Sequence, residues 1–439
     1  MAQEDEYLGL MTRESSLIKG ERISRYVQIH RSPDDVLKRT LANRELQLRH
    51  GTCHAARCSG THGINALFAT TYDIDQKYGT DYHDRFIRWI KNVQSKDQAV
   101  DLASCDVKGD RSKGPSQQSD PDMYVHIVEK RSDGIVIRGA KAYQSCAIVA
   151  DWHLVVPYVS AQKGEENYAL ACAIPSNSKG IIHIFEWPSA LAGRLQDGAD
   201  VDLGLPDYGI HGSTLLIFDN VFVPYDNVFL AGERDFSFQL VMQLGKLQRA
   251  AASMCKSGAI ELMAGAAASI CRCNGLDWKK IPHIKDKITK LINLAVRCRG
   301  CSLGACAMSE SHPSGSFFSD DLLTNAAKLT EVEAISEATT ILIDIAGGLI
   351  GTLPSERDLK SPATRKYIEK YLKGGAGVSV EDRMRMFRLC EYLSGGSSNL
   401  RAASVHTAGS PAVQNLIITA LADVDKLEGY AEMLSGIQH

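Results

Sequence analysis

"MYVHIVEKRSDGIVIRGAKAYQSCAIVADWHLVVP", residues 123–157, decides how the chain is read. Two runs rich in β-branched and aromatic residues flank Arg131-Ser132-Asp133-Gly134, and an Asp-Gly pair between such runs is a hairpin signal. The same texture continues in "YALACAIP" (168–175), "GIIHIFEW" (180–187), "STLLIFDNVFVP" (213–224) and "DNVFL" (226–230). Residues 101–232 therefore read as a small antiparallel β domain. On both sides the apolar spacing turns helical. Residues 1–100 hold "PDDVLKRTLANRELQLRH" (33–50), entered through an N-cap-like Ser32, then "GINALFATTYDIDQKYG" and "YHDRFIRWIKNVQ". Residues 233–439 hold about five long helical patterns. The first is Ala-rich, "FSFQLVMQLGKLQRAAASMCKSGAIELMAGAAASICRC" (236–273), and the last is "PAVQNLIITALADVDKLEGYAEMLS" (411–435). The fold class expected is mainly α with a β domain: an N-terminal helical domain (1–100), a central β domain (101–232) and a C-terminal helical bundle (233–439).

Composition narrows the function classes. The 439 residues carry a formal charge of −3, without the basic stripe of a nucleic-acid binder. No run of about 18 apolar residues is present, so no membrane span is expected. The best candidate, "ATTILIDIAGGLIGTL" (338–353), is broken by Asp344. The acidic start "MAQEDEYLGL" is no signal peptide, and a cytoplasmic protein is expected. The twelve cysteines then read as reduced thiols rather than disulfides.

"TCHAARCSG" (52–60) brings Cys53, His54 and Cys58 together. On a helix His54 and Cys58 share a face, whereas Cys53 and Cys58 diverge by about 140°. Two donors do not hold an iron–sulfur cluster, which usually takes four. The remainder would come from elsewhere, Cys255 being one option and the pairs Cys271/Cys273 and Cys298/Cys301 others. Without further donors these are thiols packing as small apolar groups.

Several longer stretches carry a family resemblance: "NALFATTYDIDQKYGTDYH", "DVKGDRSKGPSQQSDPDMYVHIVEKRSDGIVIRGAKAYQS", "FDNVFVP", "DIAGGLIGTLPSE" and "HTAGSP". They resemble the 4-hydroxybutyryl-CoA dehydratase/vinylacetyl-CoA isomerase family and, more distantly, the flavin-dependent 4-hydroxyphenylacetate 3-hydroxylases. The resemblance implies an acyl-CoA dehydrogenase-like architecture, FAD, an acyl-CoA-type substrate and a homotetramer. It implies that Lys108, Gly109, Asp110, Arg111 and Ser116 line a loop on FAD, with Tyr143, Gln144 and Ser145 against the flavin ring and Gly347 and Gly348 where the cofactor is wrapped. It also implies a [4Fe–4S] cluster on a Cys-x3-Cys pair and a His-x6-Cys pair. Here those four positions hold His54, Cys58, Gln248 and Cys255. Glutamine is a poor ligand for cluster iron and cannot act as a base. Acidic positions of the dehydratase fall on Ser213 and Ala403, and a tyrosine on Ala252, while Lys256 and His406 remain.

The expected function is thus FAD-dependent chemistry on an acyl-CoA or similar activated acid, as dehydration, double-bond isomerisation or dehydrogenation, with the cluster degraded or absent. The catalytic candidates are His406, Lys256 and Gln248, and the residual metal candidates are His54, Cys58 and Cys255. Two alternatives stand beside this reading: a two-component flavin monooxygenase on an aromatic substrate, and a catalytically inactive FAD-binding paralogue.

Overall fold

The structure is a computed structural model, described over residues 2–52, 55–145, 147–157, 161–186, 200–204, 212–395 and 408–437. The N-terminal part opens with α1 (Ala2–Met11) and the short strands β1 (Thr12–Glu14) and β2 (Arg22–Ser24). It continues with α2 (Pro33–His50), α3 (Ala55–Tyr78) and α4 (Tyr82–Ser95). The local chemistry of α2 fixes both its ends. The Ser32 side chain accepts from the Asp35 N–H, Pro33 stands at the first helical position, and Asp34 and Asp35 meet the positive end of the helix dipole. Gly51, at φ 62°, closes the other end with a bond to the Gln47 carbonyl.

The β domain contains β3 (Val100–Ala103), β4 (His126–Lys130), β5 (Gly134–Ser145), β6 (Trp152–Val155), β7 (Leu170–Pro175), β8 (Ile181–Glu186), β9 (Ser213–Pro224) and β10 (Val228–Ala231). They form two four-stranded sheets, ordered β10-β7-β6-β3 and β4-β5-β9-β8. Alternate side chains such as Ile135, Ile137, Leu216, Phe218, Val155 and Ile174 fill one shared core. The hairpin expected at Asp133-Gly134 is present, with β4 and β5 antiparallel and the Arg131 N–H bonded to the Gly134 carbonyl at 2.8 Å. One pairing departs from the antiparallel expectation: β3 runs parallel to β6. The chain leaves the first sheet after β3, builds the β4–β5 hairpin in the other sheet and re-enters in its original direction, which a tight turn could not do.

The helical bundle follows: α5 (Asp235–Cys273), α6 (Pro282–Ala307), α7 (Asp321–Ala346), the short α8 (Glu356–Lys360) and α9 (Arg365–Tyr371), α10 (Val380–Ser394), α11 (Pro411–Leu421) and α12 (Val424–Ser435). A small hairpin, β11 (Glu310–Ser311) with β12 (Phe317–Phe318), joins α6 to α7. The 39 residues of α5 span roughly 58 Å and form the spine of the molecule. Helices α2, α6 and α7 pack along it, burying Ile260, Met263, Ile270, Leu291, Leu294 and Leu342. Helix α2 comes closest at Gly258, where a Cβ would stand 2.8 Å from the Arg44 carbonyl oxygen. The final segment, read as one helical pattern, is two helices. Asp423 caps the second by accepting from the Lys426 N–H, and the chain breaks there. No helix among the described residues is long and apolar enough to cross a membrane.

Candidate functional site

Two groups of polar side chains stand out. The first lies where the loop after β3 meets the end of β5. Lys141 on β5 and Asp106 in the loop are both buried, with Nζ 2.5 Å from Oδ1. The same ammonium donates to the Val156 carbonyl at 2.9 Å and the Ser104 carbonyl at 3.1 Å. Burial pushes the Asp106 carboxyl up, against the pull of Lys141. The Ala142 N–H adds a bond to the Cys105 carbonyl at 2.8 Å. The loop is thereby tied to the strand at its root.

Beyond the root the backbone is strained on both sides of the junction. Lys108 has φ 75°, Gly109 φ 42° and Tyr143 φ 61°. Positive φ in a lysine and a tyrosine costs on the order of 1–3 kcal/mol each and clusters at ligand sites. Tyr143 sits in a β-bulge, where the β5–β9 register shifts between Lys141 and Gln144, and this throws its ring outward to 65% exposure. The Lys108 ammonium lies 5.8 Å from that ring, and the Tyr124 hydroxyl donates to the Lys108 carbonyl at 3.1 Å.

The loop is held from inside by Gln118, whose Oε1 accepts from the Asp110 N–H and whose Nε2 donates to the Asp110 carbonyl, both at 2.9 Å. A Cβ on Gly109 would collide with that amide. Ser116 donates from Oγ and N–H to Glu165 at 2.7 and 3.1 Å. Hydrogen bonds from Ser112, first its hydroxyl and then its N–H, hold the Asp110 carboxyl below its ordinary range. Arg111 stands exposed at the tip. Gln144 is buried with its amide turned to the Ala142 carbonyl at 2.6 Å, rather than presented outward. Ser145 pairs in register with Ser213. Opposite Gln144, the buried Thr214 hydroxyl has no hydrogen-bond partner among the described residues. The region from Lys108 to Ser116 with Tyr143 to Ser145 thus presents cations, an exposed ring and an unsatisfied hydroxyl, which suits a flat cofactor bearing phosphates. Gly347, at φ 76°, ends α7, and Gly348 begins the turn that packs on α7 and α10.

The second group lies on α5. Gln248, Ala252, Cys255 and Lys256 are half-buried, while Ala251, Ser253, Met254 and Ser257 around them are buried. The spacing i, i+4, i+7, i+8 places those four on one open stripe. Across from it stand Cys58 of α3 and a polar stripe of α2, Arg39, Asn43 and Gln47. The Cys58 thiol donates to Asn43 Oδ1 and the Cys255 thiol to Gln47 Oε1, each at 3.5 Å. The structure thus brings Cys58 and Cys255 around one place. His54 and His406 lie outside the described residues.

Arg39 went unnoticed in the sequence. It is 2% exposed, its guanidinium 3.9 Å from the centre of the Tyr26 ring. Burial opposes its charge; Cys58, Tyr26 and Cys255, when ionised, favour it and raise its pKa. Burial first, and then Arg39, drives the neighbouring His30 down to about 3 and His62 well below its ordinary value, so both imidazoles are neutral. A signal was available: polar residues at 39, 43 and 47 repeat at four-residue spacing along one face of that helix.

An iron–sulfur cluster does not fit the described residues. They supply two thiols, both acting as hydrogen-bond donors to amide oxygens, and Gln248 offers only a neutral amide. Among the described residues no group of three His, Cys, Asp or Glu side chains could hold a metal ion.

The fold and this junction define a class. The family described as 4-hydroxyphenylacetate 3-hydroxylase matches with its N-terminal part over residues 1–230 and its C-terminal part over 238–436, and the chain belongs to that family. Within it, the chain is 36% identical to the 4-hydroxybutyryl-CoA dehydratase/vinylacetyl-CoA-Δ-isomerase of Clostridium aminobutyricum, over 100% of this chain and 90% of the relative. An oxygen-tolerant archaeal 4-hydroxybutyryl-CoA dehydratase from N. maritimus superposes with a TM-score of 0.94 at 34% identity, over 100% of this chain and 86% of that one. The oxygenase component of 4-hydroxyphenylacetate 3-monooxygenase, solved with FAD, shares the fold at a TM-score of 0.84 and 22% identity, over 98% and 88%. The dehydratase resemblance drawn from the sequence motifs is borne out along the full chain.

Proposed function

We propose that this protein is an FAD-dependent enzyme of the 4-hydroxybutyryl-CoA dehydratase branch, acting on an acyl-CoA by double-bond isomerisation or dehydrogenation rather than by loss of water. The observation that carries the reading is the strained junction of Lys108–Gly109 with Tyr143, rooted on the buried Lys141–Asp106 pair. The full-length identity to the Clostridium enzyme supports the choice of branch. FAD, when bound, supplies an electron acceptor that makes the otherwise weakly acidic β-position reactive. Lys108 and Arg111 supply charge toward its phosphates, Tyr143 a face for its ring, and Ser145 and Thr214 hydroxyls for its edge. Gly347 and Gly348 contribute from a neighbouring copy in a homotetramer. The helical, β and bundle domains take the acyl-CoA dehydrogenase-like arrangement, in a cytoplasmic protein.

The acyl chain lies along the open stripe of α5. Lys256 brings a positive charge toward the thioester, and Gln248 orients the chain with a neutral amide. His406 takes the α-proton, which the thioester acidifies, and a proton returns at the γ-carbon. The double bond then moves with no net change in oxidation state. Dehydration needs a Lewis acid for the departing hydroxyl, and the described donor set offers none.

The test is conversion of 3-butenoyl-CoA to 2-butenoyl-CoA by the purified yellow protein. Turnover that falls at least about a hundredfold in His406→Gln is expected. Unchanged turnover in that variant removes His406 as the base, and absence of flavin from the purified protein removes the reading. That no cluster donor set is found among the described residues also suits a monooxygenase, and oxygen uptake with a phenol and reduced flavin, without CoA-ester turnover, would move the assignment there.

A further inference from the structure

A chain of three titratable side chains crosses the seam between the two sheets of the β domain. Asp101 on β3 and His153 on β6 stand in register across the parallel pair, at 1% and 0% exposure. Their chain neighbours Leu102 and Leu154 face α3, where a Cβ on Gly63 would meet both. Alternation along the strands therefore turns Asp101 and His153 toward the other sheet. There the half-buried His183 of β8 meets them. His153 Nδ1 lies 3.4 Å from Asp101 Oδ2 and His153 Nε2 lies 3.0 Å from His183 Nε2, with the ring centres 5.1 Å apart. Among the described residues the surroundings are otherwise apolar or already paired. Strand β9 brings Leu216 beside His183, and β7 brings Ile174 and the Cys172 thiol, whose pKa burial pushes up. Asp151, just before β6, accepts from the Ala99 N–H at 2.6 Å, and Lys141, beyond Leu216 in the row of His183, is bound to Asp106.

An N–H···N bond between two imidazoles needs one donor and one acceptor nitrogen, so a single proton lies between the rings. When Asp101 is ionised and His153 carries a proton on each nitrogen, His153 donates to Asp101 through Nδ1 and to His183 through Nε2. Both bonds are then made and the three side chains carry no net charge. Removing that proton leaves a buried carboxylate facing neutral groups. Adding a second leaves net positive charge and, while Asp101 is ionised, sets donor against donor between the rings. Either change is costly out of water. We propose that Asp101, His153 and His183 form a pH-sensitive latch that holds the two sheets together most firmly while the three carry no net charge. The outer groups agree in direction. Burial pushes the Asp101 carboxyl up, against the pull of His153, and burial first and then His153 push the His183 imidazole down. A raised carboxyl gives up stability as pH rises through its folded value, and a lowered imidazole gives it up as pH falls below about 6.5. Because β3 runs directly into the loop at 104–116, opening the seam also shifts the root of that loop.

Urea unfolding of the holoprotein between pH 5 and pH 9 tests it. One proton taken up or given up on unfolding changes the unfolding constant by up to about tenfold per pH unit. His183→Gln offers His153 Nε2 a donor or an acceptor but cannot take a proton. Its loss of stability from pH 7 to pH 5 should be smaller than the native loss by about tenfold in that constant. Asp101→Asn keeps an acceptor without the charge and should likewise shrink the native loss from pH 7 to pH 9. The half-buried His183 carries the test if Asp101→Asn does not fold. A merely structural set of bonds would cost each variant the same stability at every pH, and pH profiles running parallel to the native one overturn the proposal. One zinc per chain in the purified protein, lost in His153→Gln, would put a metal between the rings in place of the shared proton and also overturn it.

Discussion

Replacing Lys141 by Met removes a cation whose side chain is 3% exposed and leaves Asp106, 4% exposed, without its partner. Breaking a buried ion pair from one side costs about 3–5 kcal/mol. Three acceptors lose their donor at once: Asp106 Oδ1, the Ser104 carbonyl and the Val156 carbonyl. The Asp106 carboxyl already sits above its ordinary value despite Lys141, because burial outweighs the pairing. Without the ammonium it would take up a proton at still higher pH. A raised carboxyl pKa means that the folded state binds the proton more tightly than the unfolded chain, so ionising Asp106 lowers stability as pH rises through that range. The pair is thus no net source of stability, and Lys141→Met with Asp106→Leu, which removes both charges, should recover most of the loss. What the double variant should not recover is the register of the loop. Urea unfolding would give the stabilities, and flavin fluorescence the affinity for FAD. The expected pattern is a destabilised single variant and a near-native double variant, both binding FAD at least about tenfold more weakly. A double variant with native FAD affinity would refute the claim that this pair sets the cofactor loop.

Three further outcomes follow from the same geometry. His30 and His62 are held neutral, so the unfolded chain binds more protons below its own imidazole value near 6.5. Stability contributed by these residues is fully present above that pH and declines as pH falls toward the folded value of about 3 for His30. In urea midpoints between pH 7 and pH 5, His30→Gln should flatten that decline. Tyr143→Gly should relieve the strain at φ 61° and raise stability by about 1 kcal/mol, while weakening FAD binding because the exposed ring is gone; tighter binding would contradict its assigned role. Protein purified without oxygen should contain well under the roughly four irons of a [4Fe–4S] cluster. Iron and acid-labile sulfide near four per chain would show that the two described thiols find further ligands.

Much of the architecture was legible because it is written in local periodicity. The hairpin at Asp133-Gly134 and the start of α2 at Ser32 each rest on a few adjacent residues, and both stand where they were expected. The long α5 announced itself by its alanines and its length. The parallel pairing of β3 with β6 was not legible, because register between strands separated by a long connection has no local signature. Nor was the break before α12, where one aspartate outweighs a continuous helical pattern.

The site divides in the same way. By itself the sequence determined the family, since the long motifs that carry it are a matter of residue identity. Only the tertiary structure decided that Tyr143 is thrown outward, that Gln144 turns inward, that Lys141 roots the loop on Asp106, and that Arg39 stands charged between two thiols. Burial and pairing depend on groups distant in the chain: Arg39 with Cys255, Lys141 with Val156. An arginine reads alike on a solvated face and in a core; only the tertiary structure decides which groups replace the water removed around it.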